Sequence, residues 1–288
     1  MTPRSRHVVA NRLRHHLVEW GDRGPLLVLL HGFLEHARAW DLVAPRLAAA
    51  GYHVFALDWR GHGDSEWIGN GGYYHFVDYS ADLAFVIRAL GEQAILVGHS
   101  MGATSAMNYA GLEPDRVAAL VLVDALGPPD MEDQAVPERA ESWIRDLERL
   151  EERDRRPFTL DEAAARLAER FPRFSPAVAR HMAEHGSRPA AGGREWKFDP
   201  LHQTTGPNPF SRARAHLFWR RVACPVLYVE GADSPLRLQP DDAADRLATL
   251  RARRITMRGV AHHPHLEQPE SFARIVLDFL GGVPCAGS

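Results

Sequence analysis

Short apolar runs, the last of them also carrying Arg253, Arg254 and Thr256, punctuate the chain: Leu26 to Leu30, His53 to Leu57, Ala94 to Val97, Val117 to Val123, Pro225 to Val229 and Arg253 to Met257. Runs of this length bounded by polar residues predict strands buried on both faces, as in a parallel sheet. Two earlier segments, His7 to Ala10 and Leu13 to Trp20, alternate polar and apolar residues and predict a half-exposed antiparallel edge. Between strands, Tyr79, Leu83, Val86, Ile87 and Leu90 repeat at helical spacing behind Asp78 as a candidate N-cap. Phe272, Ile275, Val276, Phe279 and Leu280 repeat likewise near the end. Strand alternating with helix needs crossover connections, which predicts an α/β fold with a doubly wound, mostly parallel sheet. Ligands then bind beyond the C-terminal ends of the strands.

The alternation breaks from about Gly127 to Phe218, where Arg/Glu-rich helical patterns are joined by Pro- and Gly-rich pieces such as Ser187 to Gly193 and Gly206 to Pro209. This reads as an inserted helical cap, dividing the chain into core residues 1–126, cap residues 127–218 and core residues 219–288. Trp143, Leu147 and Leu150 share one helix face and Leu160, Ala164, Leu167 and Phe171 another, so the insert is amphipathic. Its aromatic residues Trp143, Phe158, Trp196, Phe198 and Phe210 either roof an apolar pocket or pack the cap's own core.

A length of 288 residues is enough for one large core plus such an insert, and 45% hydrophobic with 25% charged residues is ordinary for a globular chain. A formal charge of −3 supplies no basic field for nucleic acid or an anionic membrane, so neither is expected as a partner. Cys224 and Cys285 imply two free thiols rather than a disulfide framework. The N-terminus lacks the apolar stretch of a secretory signal and no run is long enough to span a bilayer, which predicts a cytoplasmic location. Oligomeric state leaves no signature.

The chemistry centres on Gly98-His99-Ser100-Met101-Gly102, which follows the strand Ala94 to Val97 and opens the helix-compatible run Ala103 to Ala110. That is the context a nucleophile elbow requires: a tight strand-to-helix turn strains its central residue and leaves no room for side chains on either side. Ser100 is therefore the candidate nucleophile. A serine hydroxyl needs an adjacent base, and attack on a carbonyl creates an oxyanion that needs donors. His31-Gly32-Phe33 follows the strand Leu26 to Leu30, making the amide of Phe33 one candidate donor; the amide of Met101, at the helix start, is the other. Gly259-Val260-Ala261-His262 follows the last strand, so His262 is the candidate base, with His263 and His265 as structural neighbours. Pro264 interrupts these histidines and no carboxylate lies at zinc-ligand spacing nearby, so no metal is expected. For the acid that orients the imidazole, two strand-end loops each offer a carboxylate, Asp124 after Leu120 to Val123 and Asp233 within Gly231-Ala232-Asp233-Ser234.

From Leu26 to Asp58, Ala94 to Asp124 and Pro225 to Leu280 the chain resembles capped bacterial serine esterases of the alpha/beta-hydrolase fold. Members of that family often carry the acid three residues after a glycine on the later strand, a position held here by Ser234. A subset, including small esterases and haloalkane dehalogenases, carries it at the end of the strand after the nucleophile helix, a place that Asp124 matches. The resemblance therefore prefers Asp124 to Asp233. Trp59-Arg60-Gly61-His62-Gly63-Asp64-Ser65 is similar to the loop after the family's fourth strand and is read as turn-shaping.

The expected reaction is hydrolysis of a small carboxylic ester with an apolar portion through an acyl-enzyme on Ser100, without a cofactor. Carbon-carbon bond hydrolase, thioesterase, lactonase and perhydrolase activity would use the same triad, whereas epoxide hydrolases and haloalkane dehalogenases of similar fold carry Asp at the elbow. A lyase or a non-catalytic ligand receptor on this scaffold is the reading from a different class.

Overall fold

The computed structural model describes residues 2–91, 93–131, 136–152 and 156–283. Strands β1 (Arg4–Ala10) and β2 (Leu13–Trp20) form an antiparallel hairpin whose turn residues, Asn11 and Arg12, have φ of 47° and 67°. Positive φ at both turn positions matches the turn to the strands' twist. The chain continues through β3 (Leu26–Leu30), α1 (Ala44–Ala49), β4 (His53–Leu57), α2 (Phe76–Leu90), β5 (Ala94–His99), α3 (Met101–Leu112) and β6 (Val117–Val123). It then leaves the sheet for α4 (Val136–Glu152), α5 (Leu160–Arg170), α6 (Pro176–Gly186), the hairpin β7 (Ser187–Ala190) and β8 (Gly193–Trp196), and α7 (Arg212–Trp219). It returns as β9 (Val226–Gly231), α8 (Pro240–Leu250), β10 (Arg253–Met257), α9 (Pro264–Glu267) and α10 (Pro269–Leu280).

The eight main strands lie in the order β1-β2-β4-β3-β5-β6-β9-β10; β2 runs antiparallel to both its neighbours and the remaining pairs are parallel. The runs of β3, β4, β5, β6 and β9 are continuous because both faces of the sheet are covered there; the edge strand β10 departs from that expectation, with Arg253, Arg254 and Thr256 exposed. Val28, Leu30, Leu96, Leu120 and Leu122 point to a core shared with α2 and α3, while Leu27, Leu29, Ile95, Val97, Val121 and Val123 point to a core shared with α1 and α10. Each core residue thus excludes water on one side of a sheet that has no solvated face here. The helix expected behind Asp78 starts earlier, at Phe76. Asp78 is not its N-cap: it sits one turn in, and its Oδ2 accepts the His75 amide at 3.0 Å.

The order reverses between β3 and β5, so their C-terminal ends open onto one crevice. Within the excursion after β6, α5 and α6 pack around Phe158, Ala163 and Ala183. Trp196 lies against Phe158 with ring centroids 4.9 Å apart and Phe198 stacks on Trp196. Those three aromatic residues pack on one another within this excursion. Helix α7 lies on α3, its Trp219 Nε1 donating to Asn108 Oδ1 at 3.1 Å. Gly111 is required there, since a Cβ would come within 2.1 Å of the Phe218 carbonyl oxygen. Cys224 is a free, half-buried thiol whose pKa is pushed up to about 11 by burial, and Cys285 lies outside the described residues. No helix among the described residues is long and apolar enough to cross a membrane.

Candidate active site

Ser100 is the whole connection between β5 and α3, with φ 52° and ψ −114°. A non-glycine residue held there stores about 1–3 kcal/mol of strain. The surroundings enforce it: the Ser100 amide donates to the Val123 carbonyl at 3.0 Å, and the glycines on either side have no room for a side chain. A Cβ on Gly98 would lie 2.5 Å from the Gly102 carbonyl oxygen, and one on Gly102 would lie 2.3 Å from that of Leu30. The sequence reason for glycine at both positions is thus the close approach of β3, β5 and α3.

Asp124 directly follows the adjacent strand β6, and the fold brings it to His262. The His262 Nδ1 lies 2.7 Å from Asp124 Oδ2. Asp124 is buried, has φ 51°, and accepts two further hydrogen bonds, from the Gly231 amide at 2.9 Å and the Ser234 hydroxyl at 2.5 Å. A buried carboxylate needs such donors to remain charged, and here it has three. Since the carboxylate only accepts, His262 carries its proton on Nδ1 and leaves Nε2 as a base. Buried Arg246 fixes the loop beyond Asp124 by donating to the Leu126 and Pro128 carbonyls at 2.9 and 2.8 Å. Asp233 is placed elsewhere: its side chain is 45% exposed and pairs with Arg173, between α5 and α6, at 2.7 Å. Ser234, at the position where the family resemblance would put an acid, instead serves the acid on the neighbouring strand. Among the described residues Ser100 Oγ has no hydrogen bond to His262.

The loop after β3 lies beside Ser100 because Leu30 pairs with Gly98. His31 is buried and braces it, with Nδ1 donating to the Gly32 carbonyl at 2.7 Å and Nε2 accepting the Trp59 amide at 3.1 Å. The Leu34 amide donates to His62 Nε2 at 3.3 Å, so that ring too is neutral, its Nδ1 proton directed to the Arg60 carbonyl. Burial lowers the pKa of both imidazoles. Among the described residues the amides of Phe33 and Met101 have no hydrogen-bond partner, which leaves both as donors at the crevice. Met101 begins α3 and its amide adds the field of the helix terminus.

The feature absent from the sequence expectations is Glu35. Its buried carboxylate accepts the Gly32 amide at 3.0 Å and lies 3.1 Å from His263 Nε2 and 3.3 Å from His99 Nδ1. The residues are remote in the chain, so no local pattern announces them; the only signal is a glutamate three residues beyond Gly32. Glu35, His99 and His265 offer possible metal-ligand atoms within 4.8 Å of one another, as do His99, His262 and His263. The expectation that no carboxylate stands near these histidines is corrected in space: the loop after β3 carries one there. His263 is held neutral, its pKa lowered to about 4 chiefly by burial.

The segment between α5 and α6 rests on the histidine loop. Phe171 and Phe174 meet the His263 ring edge-on at 4.6 and 4.9 Å, and Arg173 donates to the Gly259 carbonyl at 3.0 Å. The loop after β3 also meets α6, where His36 Nε2 lies 3.1 Å from the Met182 carbonyl oxygen. Trp143 lies 5.4 Å from Tyr73, and Phe210 packs with Trp219. A separate cavity of about 210 Å³, lined by His16, His36, Asp58, His185 and Lys197 among others, has none of Ser100, Asp124 and His262 in its wall.

The fold thus brings to one end of a doubly wound sheet a strained serine turn, an imidazole hydrogen-bonded to a buried carboxylate, and two loop amides without partners among the described residues, the arrangement of the alpha/beta-hydrolase class. A family model described as the alpha/beta hydrolase fold matches residues 25–269, and the chain belongs to that family. It is 31% identical to a 2-(acetamidomethylene)succinate hydrolase of Mesorhizobium japonicum over 96% of this chain and 95% of the relative. It is 29% identical to epoxide hydrolase A of Mycobacterium tuberculosis over 98% of each. Among solved structures, a thioesterase domain from the curacin biosynthetic pathway superposes with a TM-score of 0.87 at 27% identity, covering 96% of this chain and all of that one.

Proposed function

We propose that this chain is a serine-dependent carboxylesterase that works through an acyl-enzyme on Ser100. The observation that carries the reading is the Asp124–His262 hydrogen bond at 2.7 Å beside the strained Ser100 turn. It fixes the tautomer that a general base needs. His262 Nε2 takes the hydroxyl proton as Ser100 Oγ attacks the ester carbonyl, and the Phe33 and Met101 amides donate to the resulting oxyanion. Collapse expels the alcohol, which takes the proton back from His262. Water, deprotonated by the same imidazole, then releases the acid. The Oγ to Nε2 hydrogen bond closes as substrate seats, as such bonds commonly do.

Serine at the elbow separates this reading from epoxide hydrolysis, which the family runs from an aspartate there. The Phe33 side chain, 45% exposed at the loop beside Ser100, provides an apolar wall for the substrate. The partner is accordingly a small molecule with an apolar portion. The similarity to a thioesterase domain supports a second reading in which the leaving group is a thiol, with the same acyl-enzyme. The test is hydrolysis of p-nitrophenyl acetate, butyrate and octanoate, and of the matching acyl-coenzyme A thioesters, by wild type and Ser100→Ala. Ester turnover lost in Ser100→Ala supports the first reading. Turnover confined to thioesters supports the second, and no serine-dependent turnover of either overturns both.

A further inference from the structure

His99, immediately before Ser100, has an unusual hydrogen-bond inventory. Its Nε2 lies 2.8 Å from the His262 carbonyl oxygen, which only accepts, so Nε2 carries a proton. Its Nδ1 faces the Glu35 carboxylate at 3.3 Å. A neutral ring would turn a lone pair on that carboxylate; a ring protonated on both nitrogens satisfies both neighbours. Glu35 in turn receives the Gly32 amide and His263 Nε2, so a charged carboxylate has donors on both oxygens. The side chains are 0% and 9% exposed, which removes both from direct contact with substrate.

We propose that Glu35 and His99 are positioning residues: a buried carboxylate–imidazolium pair that ties the oxyanion loop, the residue before Ser100 and the backbone of His262 into one rigid unit. This rests on the reading of Ser100 as nucleophile. Burial opposes charge on each partner, yet Glu35 beside it raises the His99 pKa, and His99 with His263 holds the Glu35 carboxyl well below the usual range. The other titratable groups facing His99 are His31 after β3, Asp124 after β6, and His262, His263 and His265 after β10. Of these, His31, His263 and His265 have lowered pKa values and add no competing charge at neutral pH. Through Gly32 the pair sets where the Phe33 amide points, and through the His262 carbonyl it sets the height of the base. Misplacing either by an ångström costs rate rather than substrate affinity, about ten- to a hundredfold.

Two measurements test this. In nitrogen-15 histidine NMR at pH 7.5, with His99 assigned by its loss in His99→Gln, both ring nitrogens of His99 are expected to carry protons. Glu35→Gln is expected to lower kcat on p-nitrophenyl butyrate about tenfold or more per titrated active site, with KM within about twofold. The double variant Glu35→Gln/His99→Gln is expected to lose no more than the worse single, because no lone buried charge remains. A purely structural role would lower the fraction of titratable sites and leave kcat per site unchanged. A singly protonated His99, or a Glu35→Gln kcat within twofold of wild type, overturns the proposal. The NMR result stands apart from activity: turnover retained in Ser100→Ala would remove the catalytic reading without touching the pair, and a poorly folding Glu35→Gln would leave the NMR test intact.

Discussion

The ends of β6 and β9 are neighbours in the sheet, and each carries a carboxylate on the loop that follows, yet the two have opposite fates. Asp124 is buried, accepts three hydrogen bonds and grips His262; the side chain of Asp233 is 45% exposed and, among the described residues, pairs with Arg173. The difference comes from the residues around them. Gly231, the last residue of β9, turns its amide toward Asp124, and a Cβ there would lie 1.9 Å from the Ala261 carbonyl oxygen on the histidine loop. Ser234 adds its hydroxyl. The loop after β9 has thus become a donor platform for the acid on β6. A carboxylate's role here depends less on its place in the chain than on which loop supplies its donors.

The sharpest way to break this contrast is Asp124→Asn, which keeps the shape and removes the charge that holds the Nδ1 tautomer. It is expected to lower kcat about a thousandfold or more, measured on p-nitrophenyl butyrate, while Asp233→Asn stays within about twofold. Equal losses would place the acid wrongly. Removing a donor rather than the acid gives a smaller effect: Ser234→Ala withdraws one hydrogen bond from a buried carboxylate and is expected to cost about 1–3 kcal/mol of stability in urea unfolding.

A pH series addresses two neutral imidazoles, His36 against α6 and His263 beneath Phe171 and Phe174. His36 and His263 both have pKa values lowered to about 4 by burial, against about 6.5 when unfolded. Between those values the unfolded chain binds more protons, so stability falls as pH drops from about 6.5 to about 4. The melting temperature is expected to decline across that window, and less so in His36→Gln. Least affected is Arg173→Ala, which breaks the exposed pair with Asp233: a change of about 0–1 kcal/mol in urea unfolding is expected.

Where the determinants are local, the sequence was legible. The apolar runs predicted the central strands, and the glycines about Ser100 announced a turn whose steric reason the structure supplies. His262 could be proposed because its loop follows a strand and precedes a helix. Long-range determinants were not legible. Glu35 meets His263 across 228 positions, and Arg246 reaches Leu126 across 120, distances over which no spacing rule operates. Asp78 reads as an N-cap from its residue type, yet it sits at the third helical position, where its carboxylate accepts the amide of His75, the actual N-cap, and the apolar stripe runs back to Phe76 against Tyr79. Of the cap aromatics, Phe158, Trp196 and Phe198 pack on one another, a choice that composition alone leaves open.

The central claim, covalent catalysis by Ser100, is tested most directly by intact mass and peptide mapping after rapid quench of the protein with p-nitrophenyl butyrate. The account predicts a butyryl adduct on the peptide containing Ser100, formed in a burst that matches released p-nitrophenol and absent from Ser100→Ala. Turnover without an adduct, or an adduct on any other residue, would contradict it.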